Sequence, residues 1–145
     1  MQFSIGGDLY ALELSQVREV ISVPETTPVP NTPPSFVGMM DIRGSIVALH
    51  DPRSELNLPN KEVDGDEVVI IVNVAGLDIG IKVDTILQVL TIADEAIHQI
   101  PEINAQVPSH FISGAYKTDE KWTILVHLEA FINQSFLKYV QQKAA

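Results

Sequence analysis

The sequence predicts a mainly β protein, two small barrels sharing one hydrophobic core and finished by a single C-terminal helix. Three observations predict it. Apolar residues come in short, β-branched runs punctuated by Gly, Pro, Asn and Asp rather than at helical intervals. The two halves repeat one another at an offset of roughly 70–78 residues. Only from Leu128 onward does the spacing turn helical, with Leu128, Phe131, Ile132, Phe136 and Val140 on one face.

The repeat is read residue against residue. Gly7-x-x-Tyr10-Ala-Leu-Glu-Leu14-x-x-Val17-x-x-Val20 parallels Gly76-Leu-Asp-Ile79-Gly-Ile-Lys-Val83-x-x-Ile86-x-x-Val89. Val29-Pro30 parallels Ile100-Pro101, Phe36-Val-Gly38 parallels Phe111-Ile-Ser-Gly114, and Ile46–Asp51 parallels Ile124–Glu129. Each half runs strand, turn, strand, Pro-bounded crossing, Gly, strand, a spacing that suits small barrels rather than βαβ units. The whole chain, residues 1–145, is expected to be one domain of two interlocked subdomains. Its internal boundary falls in the polar connection near 54–66.

In chain order, Gln2–Ile5 and Leu9–Leu14 flank the turn Gly6-Gly7-Asp8 and predict a hairpin, with Tyr10, Leu12 and Leu14 on one face. Val17–Ile21 is expected as a third strand placing Glu19 near its end. Four prolines between Pro28 and Pro34 then enforce an extended, helix-free crossing, because proline fixes φ and lacks an amide donor. Asp41-Ile-Arg-Gly44 is a charged turn, and Ser45–Leu49 a buried strand ending at Asp51. Glu67–Val74 is apolar enough for burial on both faces, and Ala75-Gly76 turns it into Leu77–Val83. Ile86, Leu87, Val89, Leu90 and Ile92 continue the β theme, and Asp94–Ile97 forms one helical turn. Pro101 to Pro108 is a second crossing, Lys117–Lys121 a hairpin turn, and Trp122–Leu128 the final strand.

A formal net charge of −10 disfavours nucleic acid and anionic membrane surfaces, whose phosphates it would repel. The chain has no cysteine, which excludes disulfides, thiolate zinc sites and Cys nucleophiles; with no secretory signature at the start, cytoplasm is expected. No apolar run approaches the ~20 residues a membrane helix needs. His50, His98, His110 and His127 lack ligand spacing, Asp64-Gly-Asp-Glu67 lacks the remaining carboxylates of a calcium loop, and no serine sits in a nucleophile elbow. No enzyme, metal or cofactor is therefore expected. The Asn133-Gln-Ser135 sequon lies in the expected helix.

Arg43 stands apart. A long cation in a turn ahead of a buried strand needs a partner, and two carboxylates qualify: Asp41 locally or Glu19 across the barrel. Such a bridge fixes the turn, and it also pre-orients a guanidinium toward a protein partner, where Arg is enriched. Val68, Ile86 and Val89 read as core, yet a groove between barrels could also receive an amphipathic helix there.

The stretch Phe36-Val-Gly-Met-Met-Asp-Ile-Arg-Gly-Ser-Ile-Val-Ala-Leu-His-Asp51 resembles the CheW family of chemotaxis coupling proteins: a Gly, a short spacer, Asn-Leu-Arg-Gly, an apolar strand and an Asp. The resemblance extends to Tyr10–Ile21, Pro30, Gly80–Asp84 and Phe111–Gly114. Two positions depart from the pattern, Asp41 in place of Asn and Pro52 in place of Leu; the charged Asp41 could compete with Glu19 for Arg43. What the resemblance implies is two SH3-like five-stranded barrels without enzymatic activity, linking the regulatory domain of the histidine kinase CheA to the cytoplasmic tip of methyl-accepting chemoreceptors. Glu19 and Arg43 match the family's bridging pair. Val68, Gly80, Ile86 and Val89 match receptor-contact positions around the inter-barrel groove, and His98 and Ile103 match positions of a second contact. An adaptor of another chemosensory pathway, such as twitching motility, would show the same motifs. A small enzyme on a double-barrel scaffold is the alternative of a different class, and it requires a deep polar pocket.

Overall fold

The computed structural model describes residues 1–56, 58, 59, 67–99, 111–132 and 134–144. Eleven strands are described: β1 Gln2–Ile5, β2 Asp8–Ala11, β3 Val17–Ser22, β4 Thr26–Thr27, β5 Phe36–Ile42, β6 Ser45–His50, β7 Val68–Val74, β8 Leu77–Val83, β9 Thr85–Gln88, β10 Ile112–Thr118 and β11 Lys121–Val126. They form a five-stranded sheet in the order β10-β11-β2-β1-β9 and a six-stranded sheet in the order β3-β7-β8-β6-β5-β4. These are two SH3-like subdomains, and the chain ends in the helices α1 Leu128–Phe131 and α2 Gln134–Ala144.

Four hairpins are made by two-residue turns whose central residues sit at positive φ: Gly6-Gly7, Arg43-Gly44, Ala75-Gly76 and Asp119-Glu120. That geometry matches the right-handed twist of the flanking strands. The repeat seen in the sequence becomes a repeat of pairings. Strand β2 lies parallel to β11, with Tyr10 opposite Ile124, and β8 lies parallel to β6, with Ile79 opposite Ala48. The sheets nevertheless do not follow the halves. Each half begins in one sheet and finishes in the other, since β1-β2 join β10-β11 while β7-β8 join β5-β6. The polar connection near 54–66 joins β6 to β7, two strands of the same sheet, so it marks the seam of the repeat and not the seam between the sheets.

Side-chain alternation along β7 builds two cores. Ile70, Val72 and Val74 face the large core, with Phe3, Ile5 and Tyr10 of the opposing sheet and Phe131 and Phe136 of the C-terminal helices. Val69 and Ile71 point the other way, into a smaller barrel interior with Met40, Val47 and Leu49. Both faces of β7 are thus buried, which its near-continuous apolar run anticipated.

Three elements differ from expectation. Strand β2 stops at Ala11 and a 3-10 turn at Leu14–Gln16 redirects the chain toward the second sheet, so Leu14 is exposed while Tyr10 and Leu12 are buried. Ile46 opens β6 on the solvent side, 63% exposed, although the strand as a whole reads as buried. The C-terminal helix is interrupted: Ile132 is extended, with φ −95° and ψ 106°. On a straight helix, at about 100° per residue, Leu137 would point opposite Leu128. The interruption lets Leu128, Phe131, Ile132, Phe136 and Leu137 all enter the core. The crossing from Pro101 to Pro108, with Ile103, lies outside the described residues.

Candidate functional site

The turn between β5 and β6 carries the residue the sequence singled out. Arg43 occupies the left-handed region at φ 53° and Gly44 follows at φ 86°. The Asp41 side chain accepts a hydrogen bond from the Gly44 amide at 2.9 Å. An Asx side chain satisfying a turn amide is the local chemistry that Asp and Asn share, so the charged Asp41 serves here as an Asn would. Of the two expected partners for Arg43, it is Glu19 that binds the guanidinium. Both Arg43 Nη atoms donate to the Glu19 carboxylate, Nη1 to Oε1 at 3.2 Å and Nη2 to Oε2. The hydrogen bond first, and the opposite charge second, raise the Arg43 pKa above its ordinary value.

Glu19 lies on β3 opposite Ile71, and the strands β7, β8 and β6 separate β3 from β5 in the sheet. A bond from β3 to the β5–β6 turn, across three intervening strands, requires the sheet to curl on itself. The pair therefore ties β3 to the β5–β6 turn across the sheet whose smaller core holds Met40, Val47, Leu49, Val69 and Ile71. The tie leaves the Arg43 side chain 73% exposed and that of Glu19 32% exposed, so the guanidinium is fixed yet open to a partner.

Gly80 belongs to the same barrel but not to its surface. A Cβ there would come 2.7 Å from both Met40 Cε and Val69 Cγ1 and 3.4 Å from Leu49 Cδ1. The interior is filled up to the backbone, which is why this strand position is glycine. Gly80→Ala is expected to overpack the barrel, lowering stability by ~1–3 kcal/mol. Urea denaturation checks this, and an unchanged midpoint would show that Met40 yields without cost.

The other predicted residues occupy a second region. Val68 starts β7, paired with Ser22 of β3 and Val83 of β8. Ile86 sits on β9 opposite Phe3, on the far side of the Val83-Asp84-Thr85 link between the sheets. Both are partly buried against the large core. Val89 follows β9 and is exposed, beside the equally exposed Leu87 and Leu90. Along β3, Ser22 is three residues from Glu19, or ~10 Å at ~3.3 Å per residue. The ion pair and the Val68 end of the ladder thus flank one stretch of strand. His98 is exposed, with its ring against Trp122 at 5.6 Å.

Two hollows lie elsewhere, and none of these predicted residues lines them. A cleft of about 520 Å³ opens between β6, the β7–β8 turn and α2, with Arg18, Ile46, Asp78 and Tyr139 on its walls. Arg18 pairs with Asp78 at 3.1 Å, and Asn73 donates to the same carboxylate at 3.0 Å. A hollow of about 240 Å³ lies beside Leu14, Leu90 and Ile92. Sequence reasoning missed both, because each is assembled from elements far apart in the chain. It also missed the largely buried pair of Arg53 and Asp84, in which Arg53 Nη2 donates to both carboxylate oxygens at 2.8 and 2.7 Å. The only sequence signal for that pair was the charge of each residue next to an apolar strand.

No group of three or more metal-ligating side chains comes together among the described residues. No described helix is long and apolar enough to cross a membrane.

Comparison with known proteins agrees with the fold. The chain is 28% identical to the chemotaxis protein CheW of Klebsiella aerogenes over 98% of its own length and 86% of that protein. It is 30% identical to the chemotaxis protein CheW of Bacillus subtilis over 69% of its length and 64% of that protein. Among solved structures it superposes on the scaffolding protein TtCheW of Thermoanaerobacter tengcongensis with a TM-score of 0.83 at 27% identity, covering 93% of this chain and 87% of that one. The CheW-like domain model matches residues 1–136, and the chain therefore belongs to the CheW-like domain family.

Proposed function

We propose that this protein is a non-enzymatic adaptor of bacterial chemotaxis, coupling chemoreceptors to the histidine kinase CheA by contact alone. The observation that carries this reading is the Arg43–Glu19 pair: it ties β3 to a turn whose sequence motif is that of the family, while leaving its guanidinium exposed. A salt bridge needed only for stability gains little from such exposure. A bidentate, pre-oriented Arg is what a protein interface uses.

In this reading an amphipathic helix from the receptor tip lays apolar side chains along the inter-barrel groove. Val68, Ile86 and the exposed Val89 receive it, and Arg43 and Glu19 form its wall. Gly80 contributes from beneath, by letting the barrel pack tightly enough to hold that wall. A barrel edge packs on the regulatory domain of the kinase. The protein then works in the cytoplasm as a single domain, held at receptor arrays through its partners. Signal passes as a shift in the populations of the assembled complex, which requires different affinities for its states.

The test is a pull-down of the purified chain against a kinase regulatory domain and a receptor-tip fragment, separately and together. Binding to both is expected. Binding to neither by a folded chain would overturn the coupling role and leave an adaptor of some other chemosensory pathway.

A further inference from the structure

The link Val83-Asp84-Thr85 is where the chain passes from the six-stranded sheet to the five-stranded one, and Asp84 is tied there from three directions. Arg53, in the 3-10 turn after β6, donates to both carboxylate oxygens at 2.8 and 2.7 Å. The Gly6 amide, in the β1–β2 turn of the other sheet, donates to Oδ2 at 2.8 Å. The Asp84 amide donates to the Ser4 carbonyl at 2.9 Å. Arg53 is itself held, its amide by the Asp51 carboxylate at 3.0 Å, and its Nη1 by the Pro59 carbonyl at 3.4 Å. Its side chain is 9% exposed and that of Asp84 19%.

This knot therefore joins the turn that follows β6 of one sheet, the β1–β2 turn of the other, and one of the two described chain crossings between the sheets. The apolar core also joins the sheets, but apolar packing is non-directional and tolerates sliding. Arg53 Nη2 donates to both oxygens of the Asp84 carboxylate while Nη1 is held by Pro59, and such charge-assisted hydrogen bonds are short and directional where apolar packing is not. The two residues proposed to line the groove flank the knot: Val68 is paired with Val83, and Ile86 stands two residues beyond Asp84.

We propose that Arg53 and Asp84 form a positioning clamp that sets the angle between the two sheets, and with it the width of the receptor-binding groove. The inference rests on the receptor reading above. Neither residue touches the receptor; each acts through Val68 and Ile86. The clamp makes the groove a preformed slot, so the receptor helix meets its competent geometry without first having to select it.

The experiment uses the full chain. Absence of native cysteine allows spin labels at Ser22→Cys on β3 and Lys121→Cys on β11, one on each sheet. Their distance distribution is measured with Arg53 intact, with Arg53→Met and with the conservative Arg53→Lys. Affinities for a receptor-tip fragment and for a kinase regulatory domain are measured in parallel on the unlabelled chains. The expected result is a narrow distribution that broadens in Arg53→Met. If that leaves the competent angle at about a tenth of the population, receptor affinity falls about tenfold while kinase affinity is unchanged. Arg53→Lys is expected to recover part of both, and it carries the test should Arg53→Met fail to fold. An unchanged distribution, or an equal loss toward receptor and kinase, would overturn the clamp. Failure of the unmutated chain to bind any receptor fragment would instead sink the functional reading, and the distance measurement would then decide the clamp alone.

Discussion

Arg43→Glu is expected to weaken binding to a receptor-tip fragment by roughly a hundredfold, the scale for losing one partner of a hydrogen-bonded charge pair at an interface. Two effects act together. The variant removes the exposed cation proposed to form the groove wall, and it sets a second carboxylate against Glu19, breaking the tie between β3 and the β5–β6 turn. The turn itself should survive, because Asp41 still accepts from the Gly44 amide and a glutamate can occupy φ 53° at a cost like that of arginine. Thermal melts should accordingly shift little. The double variant Arg43→Glu with Glu19→Arg separates the two effects, since it restores the intramolecular bridge with its polarity reversed. If the swap recovers full affinity, Arg43 serves only to tie β3 to the turn; continued loss assigns it to the partner.

Acid should destabilise this protein through one histidine. His50 ends β6 and is fully buried; its Nε2 donates to the Phe131 carbonyl at 3.2 Å, its ring lies edge-on to Phe136, and its Nδ1 has no hydrogen-bond partner among the described residues. Burial pushes its pKa down to about 4, against which the hydrogen bond to Phe131 works only weakly. In the unfolded chain the imidazole titrates near 6.5. Between those values the unfolded state binds more protons than the folded one, so stability is complete above pH 6.5 and declines as the pH falls through the window toward 4. The full decline from this residue is ~3 kcal/mol. His50→Gln keeps a donor for the Phe131 carbonyl and cannot titrate. Urea denaturation at pH 7 and pH 4.5 should therefore show a loss in the native protein about 2–3 kcal/mol greater than in the variant. Parallel pH dependence in the two proteins would mean that His50 is reached by water or protonated in place.

What could be read before the structure was known divides along physical lines. The Arg43 turn was legible because it is local: a two-residue turn needs φ > 0, Gly44 supplies it, and the motif spans neighbouring residues. The choice of Glu19 over Asp41 was left open, since it depends on the sheet curling until β3 meets β5. The large core was legible in β7, whose run has no polar alternation until Asn73. The exposed Ile46 and Leu14 were not, because each follows or precedes a turn where the chain leaves the covered face. Arg53 and Asp84 stand 31 residues apart, and charge alone does not reveal a partner at that separation. The break at Ile132 was hidden because the i, i+4 series Leu128, Ile132, Phe136 and Val140 looks the same whether or not the helix bends; only the burial of Leu137 distinguishes them. The repeat was visible, but no residue in β3 or β9 states which sheet it will join.

That last point bears on how the chain reaches its native state. Because β3 pairs with β7, and β9 pairs back to β1, neither described sheet is completed from the residues of one half alone. The parallel pairs Tyr10–Ile124 and Ala48–Ile79 close further loops of long sequence separation. Such pairings must meet their chain-entropy cost before they return any contact energy, which places the protein among slow folders governed by contact order. Stability is correspondingly indivisible. Neither half of the repeat holds all the strands of one described sheet, so damage to either half is expected to be felt as cooperative loss of both.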